Sequence, residues 1–233
     1  MMLQAELHKL GEWVKNHSSK ENMVTAVAVV VFLGAWGSYH GYRWLRERSS
    51  MNAQVAFSDS LDAYQRALSL QFSKESKASD RHELWEQAEV DFAHAYDKNS
   101  GSAYAPYMKA FSAQVAMAQQ NRVEALKNMR QSIAAMGRSN VYRGMYQVSL
   151  ALMLLDGSES EKDEGLKLLE LLATDAANSY QDMALYYLGL WYQVQGQSDK
   201  AEAYFNQVKE LDAKQSGDST RADARSPWAS LIA

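Results

Sequence analysis

The sequence predicts an all-α protein, with one membrane-spanning helix near the N-terminus followed by an α-solenoid of about four helix pairs. Three observations carry this reading. Residue usage leans on helix formers, and 12 Gly with only 2 Pro in 233 residues supply too few turn breakers for a sandwich or barrel. The stretch from Asn22 to Tyr42 holds no Asp, Glu, Lys or Arg. The rest of the chain repeats a pattern of large and small residues at intervals of 36 to 40.

Composition also excludes several function classes. The net charge of −4 provides no basic field of the kind that counterion release on nucleic acid requires, so no nucleic-acid partner is expected. The absence of Cys removes disulfide frameworks, thiolate catalysis, iron–sulfur clusters and Cys-based zinc sites together.

The elements follow in order. Residues 1–22 form a tail in which Leu3, Leu7, Leu10 and Val14 recur at helical spacing beside Trp13, either as an amphipathic helix on the headgroups or as a frayed lead-in. Residues 23–42 form the transmembrane helix. The uncharged run that contains it would reach roughly 31 Å at about 1.5 Å per residue, enough for a bilayer core. It is apolar on all sides, whereas a helix of a soluble core keeps a polar stripe. Trp36, Tyr39, Tyr42 and Trp44 gather at its end as an interfacial belt would. The juxtamembrane segment 43–50 carries Arg43, Arg46 and Arg48, against Lys9, Lys15 and Lys20 before the span, so the basic flanks tie and leave orientation open. Gly37 and Gly41 form a small-xxx-small pair, a weak signal for helix association. A cleaved signal peptide fits poorly, because a polar and charged tail precedes the apolar run and Arg and Tyr follow it.

Residues 51–211 form the repeat domain. Leu185, Leu188, Gly189 and Tyr192 lie on one helix, Gly196 makes a turn, and Ala201, Phe205 and Val208 lie on a second helix. A large residue, a small one that admits the paired helix, then an Ala and an aromatic after the turn is the spacing of the tetratricopeptide repeat. Ser112, Ala113 and Ala116 followed by Ala125, Met129 and Ser132 repeat it, with the same interval of twelve between the two small residues. Leu150, Ala151 and Leu154 open another unit whose second helix holds Gly165, Leu169 and Leu172; its interval of 14 places two extra residues in the acidic turn 156–165. Ala88, Phe92 and Ala95 mark an earlier second helix, whose partner is the segment from Ala53 to Leu70. The small residues Ala88, Ala125, Gly165 and Ala201 are spaced by 37, 40 and 36. Such pairs bury their apolar faces by stacking into a tetratricopeptide-like α-solenoid, with a concave face lined by the first helices.

The Ser- and Lys-rich segment from Gln71 to Arg81 reads as an exposed insertion within the first pair. Residues 212–233 read as a polar linker and a short C-terminal helix, with Ser226 as N-cap and Pro227 in the first turn.

No constellation for chemistry appears. None of His8, His17, His40, His82 and His94 stands at a metal-ligand spacing from another, and phosphate-loop and nucleophile-elbow motifs are missing. The acids Asp156, Glu159, Glu161, Asp163 and Glu164 lack the alternation of a calcium loop and read as a solvated turn. No enzyme activity, no metal and no cofactor is therefore expected. What remains is a binding surface. The repeat template aims Tyr107, Gln114 and Met117, then Met145, Val148 and Leu152, then Tyr186, Leu190 and Gln193 towards the concave face. A Met- and Tyr-rich groove with almost no Lys or Arg suits extended or partly unfolded apolar segments more than a charged tail.

A short tail, one span and a compact run of degenerate repeats ending in the S-P-W-A-S-L of residues 226–231 resemble the YfgM-like family, ancillary subunits of the SecYEG translocon in Gram-negative bacteria. The resemblance spans nearly the whole chain in architecture and rests in motifs on Gly189, Tyr192, Ala201, Phe205 and that C-terminal sextet. It implies an anchor in the inner membrane, a repeat domain in the periplasm, and as partners the Sec translocon, periplasmic chaperones or client chains, with no catalytic residue. Arg43, Arg46 and Arg48 on the outer side would run against the basic-inside rule. The same fold in the service of one dedicated envelope or division complex, with the repeats in the cytoplasm, is the alternative.

Overall fold

Alanines and glycines decide where these helices meet. In a computed structural model of the chain, residues 50–71, 77–216 and 226–232 are described. The predicted span at 23–42, with the tail and nearly all of the juxtamembrane segment, lies outside them. Eight α-helices follow one another among the described residues: α1 over 50–71, α2 Ala78–Asn99, α3 Ala105–Ala118, α4 Arg122–Ala135, α5 Arg143–Leu155, α6 Glu159–Thr174, α7 Gln181–Val194 and α8 Ser198–Ser216. A 3-10 turn, Ala229–Leu231, comes last, and no strand occurs among these residues. None of the described helices is long and apolar enough to cross a membrane.

The helices associate as four consecutive pairs within the unit Ala53–Ala233. In the first pair Ala53, Ala63 and Ala67 of α1 pack against Trp85, Ala88, Phe92 and Ala95 of α2. In the second, Ala110 and Ala113 face Met129 and Ile133. In the third and fourth, Val148, Ala151, Leu169 and Leu172 share a core with Ala184, Leu188 and Val208. The small residues predicted for each second helix are buried: Ala88, Ala125, Gly165 and Ala201. Gly189 has a specific steric duty, because a Cβ there would fall 2.4 Å from the ring of Phe205. The jigsaw read from sequence is the packing that forms.

Two kinds of turn recur. Between α3 and α4, Gln120 adopts φ 62° and Asn121 donates its N–H to the carbonyl of Ala116; between α7 and α8, Gly196 adopts φ 71° and Gln197 donates to Tyr192. Before each of α3, α5 and α7, a Ser or Asn accepts from the backbone N–H of a Tyr two residues on: Ser102 from Tyr104 at 3.3 Å, Asn140 from Tyr142 at 2.9 Å, Asn178 from Tyr180 at 3.1 Å. The carbonyl of the same residue accepts from the N–H three residues on, which starts the helix. These tyrosines are spaced by 38 and 38.

Three sequence-based expectations need correction. The insertion placed at 71–81 is shorter, since Gln71 and Ala78–Arg81 are helical; Asp80 sits in the first turn of α2, where the helix dipole favours a carboxylate. The acidic stretch after Leu155 is mostly helix rather than turn. Glu161 reaches back to the N–H of Ser158 at 2.8 Å in a capping box, so α6 begins at Glu159 and its acids crowd the positive end of the helix. Finally, α8 runs on past Leu211 to Ser216, and the C-terminal segment makes one 3-10 turn instead of an α-helix.

Candidate interaction surface

The first helices carry aromatic rings at positions that meet across neighbouring pairs. Phe57 and Tyr64 of α1 meet Phe111 of α3 edge-on, at centroid distances of 5.7 and 5.3 Å, and Tyr64 also meets Trp85 at 5.6 Å. Tyr107 continues the ladder to Phe57 at 6.4 Å and to Tyr146 of α5 at 6.1 Å. Edge-on and tilted pairs of this kind add to the area they bury, and each ring here is fixed by at least one other. Sequence reading found Tyr107 in this ladder and missed Phe57, Tyr64 and Phe111, although Phe111 stands one residue from a predicted unit.

The nine predicted surface residues differ in their surroundings. Tyr107 and Gln114 are half-buried and already hydrogen-bonded within the chain: the Tyr107 hydroxyl accepts from Asn140 Nδ2 at 2.9 Å, and Gln114 Oε1 accepts from the Tyr64 hydroxyl at 2.8 Å. Tyr107 and Met145 pack on one core cluster, Leu152 and Tyr186 on the next. Met117 and Leu190 are half-buried and Gln193 is exposed. Val148 is the correction: it is fully buried between α6 and α7, so the neighbouring pair, and no ligand, fills its surroundings. The template cannot say that the next pair covers it.

One register position recurs with partial exposure. Gln114, Leu152 and Leu190 occupy the same position on α3, α5 and α7, 38 residues apart, and all three are half-buried. Beside them at the end of α7, Val194 is 81% exposed.

Titratable groups with displaced acidities are explained by packing and capping. Burial pushes the Tyr146 hydroxyl up to about 12, with the neighbouring Tyr107, Tyr180 and Tyr142 adding to it. Glu161 is held below the usual carboxylate range, first by the Ser158 backbone N–H, then by the Ser158 hydroxyl and by Arg122. Arg122 is a joint between pairs: its guanidinium donates to the Met153 carbonyl at the end of α5 and stands 3.1 Å from Glu161 of α6. Among the described residues, no group of His, Asp or Glu is arranged to hold a metal ion.

A C-terminal strap, residues 226–232, lies against the last pair. The Trp228 ring packs at a tilt 5.2 Å from Tyr186 and 5.5 Å from Tyr187. Ser226 is buried; its N–H donates to Asp212 Oδ1 at 2.7 Å and its hydroxyl to Asp182 Oδ2 at 2.6 Å. Tyr186, expected to face a ligand, therefore faces the chain's own tryptophan.

A family model described as a tetratricopeptide repeat-like domain matches residues 13–223. No curated protein and no solved structure gives a significant match.

Proposed function

The chain belongs to the tetratricopeptide repeat-like domain family, whose repeats serve in general as protein-interaction modules, and from that premise we propose that it captures protein segments beside a membrane. The reading is of a single-span protein of the bacterial inner membrane. Its repeats stand in the periplasm and associate with the Sec translocon, as the YfgM-like resemblance implies, binding emerging or envelope chains in the manner of a chaperone. The observation that carries the binding half is the register row Gln114, Leu152 and Leu190, half-buried on three successive first helices and apolar at two of three positions. Anchoring would hold that row at a high local concentration near emerging chains, so weak apolar contacts would suffice. No catalytic step and no cofactor enters this reading: the shifted tyrosines answer to burial and Glu161 to its helix cap.

A photoreactive residue at Leu190 or Gln193 tests it in cells. Crosslinks to a translocon subunit or to emerging chains from these positions, and none from the exposed Val123 on α4, are expected. A single cysteine at Ser219, in a chain that otherwise has none, reports the side of the membrane through a membrane-impermeant thiol reagent. Labelling only after lysis would remove the periplasmic reading and favour the cytoplasmic assembly scaffold.

A further inference from the structure

Ser226 and Trp228 reproduce, for a fourth time, the turn that starts α3, α5 and α7. The Trp228 N–H donates to the Ser226 hydroxyl oxygen at 3.3 Å, as Tyr104 does to Ser102, and the Ala229 N–H donates to the Ser226 carbonyl at 3.2 Å, as Ala105 does to Ser102. α3, α5 and α7 each enter their place behind the preceding pair through this turn, so the strap meets the fourth pair as the opening turn of a further first helix would. Two features distinguish it. Its hydroxyl and N–H engage two carboxylates, Asp182 of α7 and Asp212 of α8, and only Ser226 is buried, while Pro227, Ser230 and Leu231 are exposed. The strap is held by two anchors, a hydroxyl residue between acids and an indole on two tyrosines, with Ala229 and Ile232 half-buried against the same core and the other side chains exposed.

We infer that Asp182, Asp212, Tyr186 and Tyr187 form a recognition site for a partner segment with a hydroxyl residue followed two positions on by an aromatic, and that residues 226–232 occupy it in cis as a tethered competitor. The chemistry specifies the partner. Paired carboxylates select a donor hydroxyl over an acidic side chain, and the tyrosine pair selects a flat ring over an aliphatic one. A cis segment joined to α8 through residues 217–225 competes at high effective concentration, so the site opens only to a segment that is abundant or itself tethered. The inference rests on the groove reading for Tyr186 alone; its test uses the chain's own peptide, so it can fail while crosslinking from Leu190 succeeds, and the converse.

The test inserts a specific protease site between Gly217 and Ala224 of the full chain, so that folding takes place with the strap seated, and cuts afterwards. The cut protein, freed of its strap by gel filtration, is titrated with a fluorescent peptide of residues 225–233. Expected are retained helicity, saturable binding, binding at least 10-fold weaker to uncut protein, and a loss of at least 10-fold with Asp182→Ala or with a peptide carrying Trp228→Ala. Equal binding by cut and uncut protein overturns the inference, as does no saturable binding by a cut protein that keeps its helicity. A strap that neither leaves nor exchanges with labelled peptide, or a cut protein that loses its helicity, makes the segment a fixed part of the last pair and overturns it equally.

Discussion

Gly165 of α6 lies so close to Ala151 of α5 that a Cβ on the glycine would stand 2.8 Å from the alanine's carbonyl oxygen and 3.1 Å from the Cβ of Leu154. These are backbone and near-backbone atoms, which cannot swing aside as the Phe205 ring opposite Gly189 can. Gly165→Val therefore separates the two helices and lowers the unfolding free energy by about 2 to 3 kcal/mol. Urea titration checks it, and a loss under about 0.5 kcal/mol would mean that this contact does not set the spacing of the third pair.

Gln120 holds a left-handed backbone at φ 62° in the same turn position that Gly196 fills at φ 71°. A residue with a Cβ is strained there, whereas Gly is not. Gln120→Gly should raise stability by up to about 1 kcal/mol, the relief being partly offset by the greater freedom of an unfolded glycine. A fall in the melting temperature would contradict it.

Asn140 does double service, accepting from the Tyr142 N–H at 2.9 Å and donating to the Tyr107 hydroxyl at 2.9 Å. Asn140→Ala removes both and is expected to cost about 1 to 2 kcal/mol. Ser102→Ala removes a single, longer bond to the Tyr104 N–H and should cost less. If chemical denaturation ranks the two the other way, the side-chain bridge to Tyr107 does not contribute as described.

Alkaline pH should unfold the repeats earlier than their carboxylates would suggest. Burial raises the hydroxyls of Tyr64, Tyr146, Tyr180, Tyr187 and Tyr204 above 10.0, Tyr146 to about 12. Below pH 10 folded and unfolded chains both keep these protons and stability is unaffected; between pH 10 and 12 the unfolded chain releases them first, so stability falls. Tyr146→Phe removes the largest of these contributions. Its melting temperature should decline less steeply than that of the wild type across this window, and parallel declines would refute the assignment.

Much of this was legible in the sequence because close approach of helices restricts residue size. Gly165 and Gly189 announce the pairs, since a Cβ on either would crowd the backbone of Ala151 or the ring of Phe205, and Ala201 is buried beside them in the sequence pattern. The turns were equally legible in principle: Tyr104, Tyr142 and Tyr180 recur at 38, a stricter interval than the 37, 40 and 36 of the second-helix residues, because the two extra residues between Tyr142 and Gly165 are offset by two fewer between Gly165 and Tyr180. Contacts between units were not legible. Periodicity gives the direction of Val148 and Tyr186 on their own helices, but whether the next pair or a distant tryptophan covers them depends on chain segments far away in sequence. Ser226 shows the same limit: its capping role follows from its neighbours, its bonds to Asp182 and Asp212 do not.

The recurrence of one turn at the three described junctions between pairs has an architectural corollary. The junctions before α3, α5 and α7 share the same hydrogen bonds, including a donation from Ser102, Asn140 and Asn178 to the carbonyls of Asn99, Gly137 and Asp175. Each stretch between them is therefore a cassette whose two ends carry matching splice chemistry. Excising or duplicating one, from Asn99 to Lys98's counterpart Met136 for instance, leaves every junction intact, so the reach of the row begun by Gln114 would be set by copy number, one first helix at a time.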